Sequence, residues 1–118
     1  MVAPQKIAVL GGGTFGTAIA NMIATNGRNV VLWMRDEENV ERCRQTRENH
    51  LYLPGYQLHE NLQVSSDLHG SLKGAEVIFF SVPSSAFRTL AKDARQYIAP
   101  EAMVISTAKG IEANTFKL

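Results

Sequence analysis

Apolar residues run without a break from Ile7 to Leu10 and stop at three consecutive glycines, the pattern of a strand buried on both faces of a parallel sheet. Beyond the glycines the period lengthens. Phe15, Ala18, Ile19, Met22 and Ile23 recur at helical intervals and predict a helix whose apolar face packs on the sheet, with Asn26-Gly27 as its stop. Val30 to Trp33 then predicts a second buried strand. Asp36 is placed to cap a second helix running through Val40 to about Thr46, with Glu37, Glu41 and Arg44 on its outer face.

The alternation breaks between Glu48 and Leu62, where Leu53-Pro54-Gly55 marks a turn in an irregular excursion. It resumes with a short strand at Leu62 to Ser65, a short helix from Asp67 to Lys73 closed by Gly74, and a strongly apolar strand from Val77 to Val82. Pro83 ends that strand, and Ser84 and Ser85 can cap a helix carrying Phe87, Leu90, Ala91 and Ala94 that stops near Pro100. Met103 to Ser106 predicts a last strand. Strands and helices alternating on short connections imply a Rossmann-type α/β fold, a doubly wound, mainly parallel sheet with helices on both faces.

At 118 residues and 45% hydrophobic composition, the chain is expected to form one domain, residues 1–118. Twelve basic residues nearly balance eleven acidic ones, a net charge of +1 that argues against a nucleic-acid partner, so any bound anion must be held locally. Cys43 has no second cysteine to pair with, and His50, His59 and His69 are not at metal-ligand spacing, so no metal site is expected. With no long apolar window and no leader-like start, neither membrane insertion nor secretion is expected, and a cytoplasmic location is.

Gly11-Gly12-Gly13-Thr14-Phe15-Gly16 satisfies G-x-G-x-x-G between a predicted strand and a predicted helix, the setting in which that motif binds a dinucleotide. Gly11 permits the tight turn, Gly13 lets the backbone approach a pyrophosphate, and Gly16 lets the helix pack on the strand. The helix start offers unpaired N–H groups to the anion. At the end of the second strand, where an acidic residue would bind the adenosine ribose of NAD, the sequence has Met34 followed by Arg35. A guanidinium there can pair with a 2'-phosphate or lie against the adenine, which makes the cofactor NADP or NAD with NADPH favoured. Asp36 is better explained as the cap of the next helix.

Four segments together resemble the bacterial NAD(P)-dependent glycerol-3-phosphate dehydrogenases. They are the glycine motif continued by Thr17-Ala18; Leu32-Trp33-Met34-Arg35-Asp36; Asn49 with Tyr52-Leu53-Pro54-Gly55; and Val82-Pro83-Ser84 followed by Thr107-Ala108-Lys109-Gly110-Ile111-Glu112. The first is generic to dinucleotide binders, whereas the last three in this order are specific. The resemblance covers the whole chain but only the N-terminal part of such enzymes. A mostly helical C-terminal domain with another catalytic lysine and most substrate contacts is not in the sequence.

The resemblance implies reduction of dihydroxyacetone phosphate to sn-glycerol 3-phosphate, a precursor of glycerophospholipids, by an enzyme whose full-length form is compatible with a homodimer. The N-terminal part is expected to be inactive alone. Thr14 and Phe15 would line the cofactor beside the glycines, Arg35 would hold its adenosine end, and Val82, Pro83 and Ser84 would close the fourth strand at the cofactor edge. Lys109 would reach nicotinamide and substrate as the catalytic lysine of this part, its ammonium neutralising a phosphate or polarising a carbonyl. Tyr52 either stacks near the adenosine or anchors its loop, and Phe87 is better read as core than as a cofactor contact. Two other readings stay open: the cofactor domain of another two-domain dehydrogenase, and a nucleotide-binding module without catalysis.

Overall fold

A computed structural model describes residues 6–107. Within them β1 (Ile7–Leu10), α1 (Thr14–Thr25), β2 (Val30–Trp33), α2 (Glu37–Thr46), β3 (Leu62–Ser65), α3 (Leu68–Leu72), β4 (Val77–Phe80), α4 (Ser84–Ala94) and β5 (Met103–Ser106) follow one another. All five strands are parallel, in the order β3-β2-β1-β4-β5. The chain therefore moves outward from β1 in one direction through β2 and β3, then crosses to β4 and β5 on the other side. That reversal lies between β1 and β4, and ligands of open α/β sheets bind at the carboxyl ends of strands at such a switch point.

Strand alternation sends successive residues to opposite faces, and the core divides accordingly. Ile7, Val9, Val30, Leu32, Leu62 and Val64 meet Ala20 and Ala24 of α1 and Val40 and Cys43 of α2. Ala8, Leu10, Val31, Trp33, Ile78 and Phe80 meet Leu72 of α3 and Leu90 and Ala94 of α4. The doubly wound Rossmann-type architecture expected from the alternation is present. Each fully buried side chain such as Leu10, Leu32 or Phe80 contributes about 1.5–3 kcal/mol of apolar transfer energy. Among the described residues no helix is long and apolar enough to cross a membrane.

Three local expectations need correction. The face of α1 that meets the sheet is Gly16, Thr17, Ala20 and Ala24, with Ile19 and Ile23 partly buried, whereas Phe15 (61% exposed) and Met22 (60%) point outward and Ala18 is exposed. The helix lies so close to the sheet that only small residues fit between them.

The fourth strand ends at Phe80, two residues before Val82. β1 departs at Gly11 after Leu10 accepts from the Ser81 N–H, so Ser81 and Val82 lose their neighbour. The N-cap of α4 is Pro83, and Ser84 and Ser85 lie in its first turn. The helix ends at Ala94, and a single 3₁₀ turn, Arg95–Tyr97, follows it before Pro100.

The outer edge of β3 is covered by its own helix. Arg44 Nε donates to the Val64 carbonyl at 3.0 Å, and Arg47 Nη2 donates to the carbonyls of His59 (2.5 Å) and Leu62 (2.9 Å). These guanidinium groups occupy carbonyls that an unpaired edge would otherwise present to another chain. The Glu48 to Leu62 excursion is irregular as expected, with one antiparallel bridge between Glu48 and Gln57 and with Leu58 sunk into the core.

Candidate cofactor-binding site

The glycine-rich turn is built from positions that the fold requires and one that it does not. Gly11 has φ +121° and its N–H donates to the Trp33 carbonyl at 2.9 Å. A Cβ there would overlap the Ser81 carbonyl oxygen and come within 2.8 Å of Val82 Cγ1. A Cβ on Gly16 would overlap the Gly11 carbonyl oxygen, and one on Gly12 would meet the Met34 side chain. Gly13 differs from all three. Its backbone (φ −72°, ψ −173°) is open to any residue, and a Cβ would meet nothing within 4 Å. No intramolecular packing demands glycine at this position.

Gly13 is also the N-cap of α1, and no side chain caps that helix. Its first-turn N–H groups are left for another acceptor. Across the crevice α4 starts at Pro83, likewise with no side-chain cap. By contrast, Asp36 closes the start of α2 by accepting from the N–H groups of Glu38 (3.0 Å) and Asn39 (3.4 Å), and Asp67 closes α3 by accepting from Gly70 N–H at 3.1 Å. Asp36 is thus the cap expected from the sequence.

Gly11, Gly12 and Gly13 form one wall of a cleft of about 290 Å³, near the lower end of the range for small-molecule sites. Met34, Arg35, Asp36 and Asn39 after β2, Tyr52 of the excursion, and Ser81, Val82 and Pro83 after β4 complete its lining. Met34, buried at the end of β2, fills the position an acidic residue would take. Arg35 is exposed, with its guanidinium carbon 5.5 Å from the centre of the Trp33 ring, and among the described residues no carboxylate pairs with it. A larger polar groove beside Arg44 and Arg47 lies along the β3 edge, where both guanidinium groups are already engaged.

The Tyr52 loop is held by several short bonds. Thr14 Oγ1 donates to the Tyr52 carbonyl at 2.6 Å, fastening the loop to the start of α1. Glu48 Oε2 accepts from the Gly55 N–H at 2.9 Å and lies 3.1 Å from His50 Nδ1, and these contacts, the Gly55 one first, hold its carboxyl below the usual range.

Beneath the turn lies a buried polar chain. Asn39 Nδ2 donates to Asn49 Oδ1 (3.1 Å) and approaches Met34 Sδ (3.3 Å), while Asn49 Nδ2 donates to the Gly12 carbonyl (2.9 Å) and to Thr17 Oγ1 (2.8 Å). Asn39, Asn49 and Thr17 are all buried, and Asn39 Oδ1 has no partner, which costs about 1–3 kcal/mol where water is excluded.

Of the residues singled out from the sequence, Gly11, Gly13, Arg35, Tyr52 and Pro83 come together on the cleft. Gly16 sits under the turn rather than on the cleft, because it is the contact between α1 and Gly11. Thr14 and Phe15, next to Gly13 at the start of α1, are not in the lining of this cleft: the Thr14 hydroxyl donates to the Tyr52 carbonyl, and Phe15 is exposed. Phe87 packs edge-on against Phe80 at 5.4 Å in the core, as its residue type suggested. Lys109 lies outside the described residues.

Asn39 is a cleft residue that the motifs do not single out. A signal for it exists nonetheless, since Asn39 shares the inward face of α2 with Val40 and Cys43 in a helix otherwise charged or polar. An amide on an apolar stripe marks a buried polar contact.

The family model described as NAD-dependent glycerol-3-phosphate dehydrogenase N-terminus matches residues 6–118. The glycerol-3-phosphate dehydrogenase [NAD(P)+] of Teredinibacter turnerae is 53% identical over the whole chain, which covers 35% of that protein. That of Saccharophagus degradans is 51% identical, with 33% of it covered. The crystal structure of glycerol-3-phosphate dehydrogenase from Coxiella burnetii superposes with a TM-score of 0.86 at 34% identity, over 91% of this chain and 33% of that one. The chain spans about a third of the length of the curated relatives it matches. With the glycine turn at the sheet's switch point and a family match across nearly its full length, this chain belongs to the NAD-dependent glycerol-3-phosphate dehydrogenase N-terminal family.

Proposed function

We propose that this chain is the cofactor-binding domain, residues 1–118, of an enzyme that reduces dihydroxyacetone phosphate to sn-glycerol 3-phosphate with NADPH as the favoured hydride donor. The observation that carries this reading is Gly13: it is the one residue of the turn whose missing side chain the fold leaves unused, at an uncapped helix start beside the cleft. A close-approaching pyrophosphate uses that space. Relatives that share half of this sequence bear the name glycerol-3-phosphate dehydrogenase [NAD(P)+], which supports the substrate assignment.

In this reading Gly13 and the first turn of α1 hold the pyrophosphate by N–H donation and by the positive end of the helix dipole. Arg35 pairs with the 2'-phosphate of NADPH, and Met34 stands at the end of β2 in place of an acid that would repel that phosphate, while the Asp36 carboxylate is taken up in capping α2. Tyr52 and Pro83 line the same cleft and are assigned to the cofactor. When bound, the reduced nicotinamide supplies the hydride.

Thr14 and Phe15, which follow Gly13 at the start of α1, are assigned to the cofactor beside the glycines. Lys109 is assigned to the substrate carbonyl oxygen or phosphate, where an ammonium stabilises developing negative charge. The remaining substrate contacts belong to a second, helical domain, and the complete enzyme is assigned to the cytoplasm, as a homodimer feeding glycerophospholipid synthesis.

Titrating the chain with NADPH and with NADH, followed by nicotinamide fluorescence, tests this. Saturable binding of both with NADPH the tighter is expected. A folded chain that binds neither would overturn it.

A further inference from the structure

The carbonyl of Gly12 accepts two hydrogen bonds from buried side chains, Asn49 Nδ2 at 2.9 Å and Thr17 Oγ1 at 3.2 Å. Both donors belong to residues with 0% exposure, so this carbonyl is drawn into the protein, away from the cleft. In a trans peptide the following N–H points opposite to the carbonyl, and no cis peptide bond is present among the described residues. The N–H of Gly13 therefore faces away from Asn49, on the cleft side, and among the described residues it donates to no protein acceptor.

The amide orientation of Asn49 is itself fixed. Its Oδ1 accepts from Asn39 Nδ2 at 3.1 Å, and Asn39 is oriented in turn by Met34 Sδ at 3.3 Å. That leaves both Asn49 N–H groups no direction but toward Gly12 and Thr17. Met34 and Asn39 also line the cleft beside Arg35, so one buried chain joins its adenosine wall to its phosphate wall.

We infer that Asn49, oriented by Asn39 and Thr17, is a positioning residue: by holding the Gly12 carbonyl inward it aims the Gly13 N–H at the cofactor's pyrophosphate. This rests on the proposed cofactor reading and goes beyond it by assigning the phosphate grip to a residue of the distant Glu48 to Leu62 excursion. Without the Asn49 bond the Gly12 carbonyl keeps only the longer one from Thr17 at 3.2 Å, and the peptide between Gly12 and Gly13 is held less firmly. The donor then has to be ordered when the ligand binds.

The test compares two ligands on the 118-residue chain and its variants. NADPH carries the pyrophosphate; adenosine 2'-phosphate carries the base, the ribose and the 2'-phosphate without it. Asn49→Ala is expected to weaken NADPH roughly tenfold, as for loss of one charge-assisted hydrogen bond, while leaving adenosine 2'-phosphate nearly unchanged. Thr17→Val, which keeps the side-chain shape, is expected to show the same selective loss to a smaller degree, and Thr17→Ser to restore it.

If Asn49→Ala fails to fold, the Thr17 pair decides by the same comparison. Equal affinity of the folded variants and wild type for NADPH, or equal loss of both ligands, overturns the inference while the cofactor reading stands. A wild-type chain that binds neither ligand overturns both.

Discussion

Gly16 lies directly under the Gly11 carbonyl oxygen, so close that a single methyl group on Gly16 would overlap it. That contact sets the distance between α1 and β1, and with it the position of every N–H at the start of the helix. Gly16→Ala and Gly11→Ala should each destabilise the fold by roughly 1–3 kcal/mol or more, the first by overpacking and the second also by forcing Cβ onto a residue at φ +121°. Urea unfolding followed by the emission of Trp33, the single tryptophan, reads both.

Arg35 has no carboxylate partner among the described residues and rests near the Trp33 ring. Arg35→Gln should leave stability within about 0.5 kcal/mol, as for an exposed surface position. It should weaken NADPH roughly tenfold while changing NADH little, since only NADPH offers the 2'-phosphate. Parallel titrations of the two nucleotides check this, and an equal change in both would remove Arg35 from the 2'-phosphate role.

The Glu48 carboxyl is held below its ordinary range first by the Gly55 N–H and then by His50. A carboxylate with a depressed folded pKa stabilises the closed loop above its unfolded pKa and loses that effect as pH falls through the folded value. The Gly55 amide should therefore be protected from hydrogen exchange at neutral pH and lose protection on acidification below the usual carboxylate range. Glu48→Gln should weaken that protection already at neutral pH and remove most of its pH dependence. Amide exchange at Gly55 measures both.

Cys43 is fully buried between α2 and the sheet, and burial pushes its thiol up. The native chain should react with a disulfide reagent only as fast as it opens, with full reactivity in denaturant. The folded pKa is raised, so this group's contribution is intact below the unfolded thiol range and falls as pH climbs through and above it. Rapid labelling of the native protein would contradict this placement.

The strands were legible because each is a short, mostly apolar run bounded by glycine, proline or an acidic cap; their order in the sheet is seen only in the structure. Ile7–Leu10, Val30–Trp33 and Leu62–Ser65 lie where the pattern put them, and Asp36 caps α2 as its position suggested. The orientation of α1 was not legible, since periodicity shows that large apolar residues share a side but not that the glycine contact makes the opposite, small-residue side the buried one. The end of β4 depends on where β1 turns away, a fact of the neighbouring strand rather than of Ser81 and Val82.

The glycine turn, Arg35 and Pro83 could be placed at one site because they follow the ends of β1, β2 and β4 on the same edge of the sheet, whereas Tyr52 reaches it from the excursion after α2, fastened there by Thr14. The Asn39–Asn49–Gly12 chain could not, because it joins a helix, an irregular loop and a turn far apart in sequence. Asn49 stood out only through the family pattern, which attached no role to it.

The central claim is that the cleft beside Gly13 takes a dinucleotide. Its most direct test is Gly13→Asp, measured for stability and for NADPH binding on the same sample. With open space at its Cβ and an ordinary backbone conformation, this variant should unfold within about 0.5 kcal/mol of wild type while losing NADPH binding, because the new carboxylate occupies the pyrophosphate position. A stable variant that still binds NADPH as wild type does would contradict the account.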